Sequence, residues 1–144
     1  MQQETPVIVV QSFPVSKENL WNAITQQPKM IQWFFENIPD FKPKAGFTTT
    51  FVVENEGRVF PHLWAITQVQ PHKKIEYNWK YKGYPGDATV TFELQEQGQN
   101  TLLKVTHRVI EAFPQNIPEF TRESCEAGWK YFIQQRLKDY LTQP

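Results

Sequence analysis

The stretch Lys74-Ile75-Glu76-Tyr77-Asn78-Trp79-Lys80-Tyr81-Lys82 decides the fold class. Ile75, Tyr77, Trp79 and Tyr81 alternate strictly with polar residues, the period-two signature of a strand that buries one face and wets the other. Strands of this one-sided kind belong to antiparallel sheets. Toward the C-terminus, Gly83-Tyr84-Pro85-Gly86 turns the chain, and Ala88-Thr89-Val90-Thr91-Phe92-Glu93-Leu94 alternates again. Gly98-Gln99-Asn100 makes the next turn, and 102–109 reads as the last strand. Toward the N-terminus, a strand over 59–69 is closed by Pro71, and one over 47–53 precedes the hairpin turn Glu54-Asn55-Glu56-Gly57. Five successive strands with short turns make a meander with one buried face.

The flanks supply what covers that face. Thr5-Pro6-Val7-Ile8-Val9-Val10-Gln11-Ser12-Phe13 is short and β-branched, hence a first strand. Ser16 then suits a helix N-cap, and Val15 before it with Leu20 after it fits a hydrophobic staple. Leu20, Trp21 and Ile24 share one face of this helix. Pro28 punctuates it, and 29–35 makes a second short helix or turn. Near the C-terminus, Trp129, Phe132, Ile133, Leu137, Tyr140 and Leu141 recur at spacings of three and four, which predicts a long amphipathic helix from about Pro118 to about Leu141. Gly128 inside it costs roughly 1 kcal/mol relative to Ala, so it should allow close approach to the sheet or leave room beside Trp129. The order strand, helix pair, five strands, long helix is α+β: a curved antiparallel sheet around a C-terminal helix, expected as one domain over 1–144.

Composition bounds the function. At 144 residues the chain is long enough for a real core, and 40% hydrophobic against 21% charged residues rules out intrinsic disorder. Fifteen Lys+Arg balance fifteen Asp+Glu, without the basic surplus that a general nucleic-acid binder carries. Lys80-Tyr81-Lys82-Gly83-Tyr84 mixes basic and aromatic residues, but the RNA-recognition signature is absent and strand alternation explains the mixture. The single cysteine, Cys125, makes no internal disulfide and suits a reducing compartment. Met1-Gln2-Gln3-Glu4-Thr5-Pro6 lacks the basic start of a signal peptide, and no apolar run approaches the ~20 residues of a membrane span. A cytoplasmic location without a membrane span is the expectation. Five Trp, five Tyr and eleven Phe point to a cavity or a thick core.

Catalytic patterns are scarce. Cys125 has no visible base partner and reads as structural. His62, His72 and His107 show no paired metal-ligand spacing, so no metal is expected. His107 shares a strand face with Leu103, Val105 and Val109; burial there would keep it neutral, either as a hydrogen-bonded core residue or as a polar handle on an apolar wall. Phosphate loops and dinucleotide fingerprints are missing, and Glu54, Glu56, Glu76, Glu93 and Glu96 fall at exposed positions. No residue pattern names a catalytic group or calls for a cofactor.

The motifs taken in order resemble a known superfamily. Phe13-Pro14-Val15-Ser16-Lys17-Glu18-Asn19-Leu20-Trp21-Asn22-Ala23-Ile24, with Trp33 closing the helix pair, resembles the opening of START-like (SRPBCC, polyketide-cyclase-like) domains. The hairpin formed by 88–94, Gly98 and 101–107 looks like that superfamily's last hairpin. Gly128-Trp129, in a helix ending Leu137-Lys138-Asp139-Tyr140-Leu141, is similar to the C-terminal domain of activators of the heat-shock-protein-90 ATPase. The resemblance implies a helix-grip fold whose sheet and helix enclose an apolar cavity for a small hydrophobic ligand, lipid- or polyketide-like. The wall is then expected from Trp33, Tyr77, Trp79, Tyr81, Phe92, His107, Trp129 and Phe132, with Trp64 joining them if no bulge in 59–69 turns it outward. Two alternatives follow. One is a co-chaperone-like interaction module, which should show a contiguous exposed apolar patch. Eukaryotic activators add an N-terminal domain that contributes much of chaperone binding, so this chain alone is expected to stimulate the chaperone weakly or not at all. The other is a small hydrolase or cyclase using His107 and a tyrosine in the same cavity.

Overall fold

In a computed structural model, which describes residues 5–142, six strands form one antiparallel sheet. They are β1 (Val7–Phe13), β2 (Thr48–Asn55), β3 (Arg58–Gln70), β4 (Lys74–Tyr81), β5 (Asp87–Gln97) and β6 (Asn100–Glu111), with α1 (Lys17–Thr25) and α2 (Gln27–Trp33) between the first two. The sheet order is β1-β6-β5-β4-β3-β2, so the meander β2–β6 is completed by β1 pairing back on β6. The alternation in β4 is realised residue by residue: Ile75, Tyr77 and Trp79 are buried, while Lys80 is exposed. The β2–β3 hairpin closes through Glu56 and Gly57, both with positive φ (50° and 81°), the tight turn whose twist matches the strands it joins.

The register of β3 slips between Ile66 and Gln68, a bulge that comes after Trp64. Phe60, His62, Trp64 and Ile66 therefore keep one inward phase, and Trp64 points into the core. Ser16 caps α1 as expected, its Oγ accepting the Asn19 N–H at 3.1 Å. The second helix begins at Gln27 rather than Lys29, because Pro28 belongs to its first turn, where the missing N–H costs nothing.

The C-terminal helix departs from the sequence expectation in two ways. It does not start at Pro118: Pro118–Phe120 is a separate 3-10 turn, and α3 (Arg122–Lys130) begins behind Thr121, whose Oγ1 accepts the Ser124 N–H at 3.2 Å. A residue that caps by side chain outcompetes a proline three positions earlier. The helix then widens into a π segment, Tyr131–Leu137, before α4 (Lys138–Thr142). Trp129, Ile133 and Leu137 are buried at a constant spacing of four. That spacing drifts off a 3.6-residue helix, and wider turns bring the three side chains back onto one face.

Sheet and helices share one core. Leu20, Ile24, Met30 and Trp33 are sealed at the α1–α2 end, where Trp33 Nε1 donates to the Ala23 carbonyl at 2.8 Å. The C-terminal helix lies along β1: Gln134 donates to the Val10 carbonyl, and Arg122 donates to the carbonyls of Thr5 and Pro6. Among the described residues, no helix is long and apolar enough to cross a membrane.

Candidate functional site

The inner face of the sheet has two ends. At one, aromatic rings interlock: Phe41 meets Trp64 edge-on at 6.3 Å and Tyr77 at 5.9 Å, while Trp64 and Tyr77 lie 5.1 Å apart between ring centres. Phe34, just past α2, stacks on Trp33 at 4.6 Å and also reaches Trp64, at 5.4 Å. Among the described residues, Trp64 Nε1 and the Tyr77 hydroxyl, both buried there, have no hydrogen-bond partner.

At the other end the space stays open. A cavity of about 250 Å³ lies between the sheet, α3 and the segment leading into α3. Its apolar wall includes Val7, Phe35, Phe60, Trp79, Phe113 and Phe120. Gly128 also lines it, and a Cβ built there would meet nothing within 4 Å. Of the two roles expected for this glycine, leaving room is the one it fills. Gly86 does the opposite, because its φ of +127° and the Phe113 ring lying where its Cβ would go require a residue without a side chain.

The polar groups in this wall are few, and their hydrogen bonds define them. Trp129 Nε1 donates to His107 Nδ1 at 3.1 Å. An indole N–H only donates, so Nδ1 of His107 is the bare nitrogen and the proton sits on Nε2. His62 is the converse: its Nδ1 lies 2.9 Å from the Phe60 carbonyl, which only accepts, so Nδ1 carries the proton and Nε2 the lone pair. Trp79 Nε1 donates to the Tyr81 hydroxyl at 2.8 Å. Burial pushes both imidazoles down to about 4, so both are neutral at physiological pH. Burial likewise pushes the Tyr81 phenol well above its usual range.

The rim carries the charges. Glu119 accepts from Arg58 through both Nε and Nη2 and from Asn55, tying the 3-10 turn to the β2–β3 hairpin. These hydrogen bonds from Arg58 hold the Glu119 carboxyl down to about 2. Arg122 is engaged by Thr5, Pro6 and, at 3.7 Å, Glu126. Cys125 is half-buried in the wall. Among the described residues, no group of three His, Cys, Asp or Glu is placed to hold a metal ion.

Of the residues expected from sequence, Trp79, Tyr81, His107, Trp129 and Phe132 line the cavity. Trp33, Trp64, Tyr77 and Phe92 do not; each is at most 1% exposed, packed into the solid end or behind Trp129. Sequence reasoning missed His62 as a lining residue. Its signal was present in the phase Phe60-His62-Trp64, but only the location of the bulge makes that phase readable.

The family described as "Activator of Hsp90 ATPase homolog 1-like protein" matches residues 14–142. Among solved structures, DynU16 of the dynemicin biosynthetic locus is 23% identical with a TM-score of 0.75, over 96% of this chain and 47% of its own. The chain thus spans about half the length of DynU16. A protein from Mesorhizobium loti is 24% identical with a TM-score of 0.76, covering 97% of this chain and 100% of its own. The Aha1 dimer from Colwellia psychrerythraea is 21% identical with a TM-score of 0.71, covering 96% of each chain. At these identities the likeness is one of fold. No curated protein matches the chain.

Proposed function

The chain belongs to the activator of Hsp90 ATPase homolog 1-like family, and from that premise we propose that it binds a small hydrophobic molecule in the cavity between sheet and C-terminal helix. The observation that carries this reading is the contrast inside one core: aromatic side chains close-pack at one end and leave about 250 Å³ open at the other. A wall of aromatic and aliphatic groups with a few oriented polar atoms is the usual make-up of a small-molecule site. An apolar cavity of about 150 Å³ accommodates benzene, so this one suits a ligand core of roughly ten heavy atoms, with longer chains leaving through the mouth.

The interaction-module alternative finds less support. Exposed large apolar residues are spread over the surface: Ile8 and Val10 on β1, Ile110 on β6, Tyr131 on the C-terminal helix, and Val52 and Val59 on the β2–β3 hairpin at the opposite edge of the sheet. Scattered residues of this kind are ordinary on monomer surfaces.

A panel of alkylbenzenes, short isoprenoids, fatty acids and aromatic polyketides tests the reading by thermal shift and tryptophan fluorescence. Trp79 and Trp129 line the cavity, so a bound ligand should change emission as it raises the melting temperature. Binding to the folded state alone stabilises by about 2.7 kcal/mol at a hundredfold excess over Kd. A panel without any shift in either observable overturns the assignment.

A further inference from the structure

The cavity's hydrogen bonds specify more than hydrophobicity. Each polar atom held by the protein leaves a defined partner atom unused. His107, with Nδ1 taken by Trp129, keeps Nε2–H as a donor. His62, with its Nδ1 proton given to Phe60, keeps Nε2 as an acceptor. The Tyr81 hydroxyl, beside Cys125, accepts from Trp79. Among the described residues, neither imidazole has a further hydrogen bond, and neither Nε2 belongs to the sealed, partnerless set that comprises Trp64 Nε1 and the Tyr77 hydroxyl. All three residues line the same space. They lie along one aromatic row, with Trp79 5.5 Å from His62 and 6.1 Å from His107 between ring centres, and Tyr81 4.7 Å from His62.

Charge is absent from this interior. Arg122 and Glu119, the charged residues of the lining, are already engaged, Arg122 by two backbone carbonyls and Glu126, and Glu119 by Arg58 and Asn55. An anion entering the cavity would exchange water for neutral imidazoles and aromatic faces, an unfavourable exchange. A pure hydrocarbon would leave one donor and one acceptor unsatisfied as it displaced water from them.

We propose that the cavity selects a neutral aromatic compound carrying both a hydroxyl and a carbonyl, the hydroxyl donating to His62 Nε2 and the carbonyl accepting from His107 Nε2–H. This rests on the cavity being a ligand site, and it names the ligand's chemistry. The two histidines are complementary because neutral imidazoles offer one donor and one acceptor each, and the fold has used opposite ones.

Three probes of ten heavy atoms test it: 4-hydroxyacetophenone, its hydrocarbon isostere p-cymene, and the anion 4-methylbenzoate. Affinities are measured by calorimetry on the wild-type chain and on His62→Phe and His107→Phe. For 4-hydroxyacetophenone, each substitution should weaken binding about tenfold, the scale of one hydrogen bond. For p-cymene, affinity should hold or rise, and 4-methylbenzoate should bind weakest of the three. Nitrogen-15 spectra of the wild-type imidazoles keep the test valid if a variant fails to fold. The Nε2 resonances of both histidines should move on adding 4-hydroxyacetophenone and stay put with p-cymene. If p-cymene and 4-hydroxyacetophenone both bind while the nitrogens stay silent, the selectivity is wrong and the apolar site survives. Preferred binding of 4-methylbenzoate overturns the selectivity equally. Binding of none of the three overturns both.

Discussion

Tyr77 and Trp79 stand two residues apart on the same face of β4, yet they belong to different environments. Tyr77 is sealed between Phe41, Trp64 and Phe92, while Trp79, in edge contact with Trp129 and His62, lines the cavity. Their alternation pattern is identical. The difference comes from what lies opposite. At the Tyr77 end, α1, α2 and the chain beyond them push Trp33, Phe34 and Phe41 into the concave sheet. At the Trp79 end, α3 presents Gly128, and the segment before α3 stays at the rim, held by Glu119. Periodicity chooses a side of the sheet; filling that side is decided by elements far away in sequence.

Truncation on either side of the divide measures this contrast most strongly. Trp33→Ala, in the solid end, should cost about 3–5 kcal/mol by urea denaturation, because close-packed neighbours cannot collapse into the hole. Phe132→Ala, beside the cavity, should cost roughly half as much. Equal costs would mean that the two ends are packed alike.

Acid reaches the open end next. His62 and His107 have folded values depressed to about 4 from 6.5, so between those pH values the unfolded chain holds protons that the folded chain refuses. Stability should be flat above pH 6.5 and fall as pH drops toward 4, by roughly 3 kcal/mol per imidazole, before levelling off. His62→Phe and His107→Phe should each remove about half of that slope. A stability curve without a slope between pH 6.5 and 4 would place both rings in water. Glu119 acts in a lower window: its folded value near 2 means that its contribution is present above 4.5 and is lost as pH falls through 2.

The two glycines give the smallest and most local comparison. Gly86→Ala must place a side chain at φ +127° and against Phe113, so a loss of about 1–3 kcal/mol and a looser mouth, seen as faster ligand association, are expected. Gly128→Ala meets open space on a helix and should instead stabilise by about 0.5–1 kcal/mol in a melting experiment. A destabilising Gly128→Ala would show the helix seated closer to the sheet than the structure has it.

The sheet was legible because Ile75, Tyr77, Trp79 and Tyr81 obey a two-residue period with polar partners between them, and because glycines mark the turns Gly57, Gly83 and Gly98. The beginning of the last helix was not: the spacing of its apolar residues says nothing upstream of Trp129, and the start is set by the side-chain cap at Thr121. Nor was the π segment: spacings of three and four in 129–141 fit an ordinary helix as well. The site was half legible for a related reason. Aromatic residues announce an interior, but the division between Trp33, Trp64, Tyr77 and Phe92 on one hand and Trp79, Tyr81 and Trp129 on the other depends on contacts such as Trp129 with His107, 22 positions apart.

The side chains that fasten the C-terminal helix to β1 also protect an edge of the sheet. Gln134 and Arg122 occupy the carbonyls of Val10, Thr5 and Pro6 on the outer margin of the sheet, while Gly128, Trp129 and Phe132 of the same helix roof the cavity. Without that helix, the Val10 carbonyl on β1 would stand bare, flanked by the exposed side chains of Ile8 and Val10. Bare strand margins are templates for pairing with other chains. The C-terminal helix therefore does two jobs with two faces, roofing the cavity and shielding the margin of the sheet from other chains.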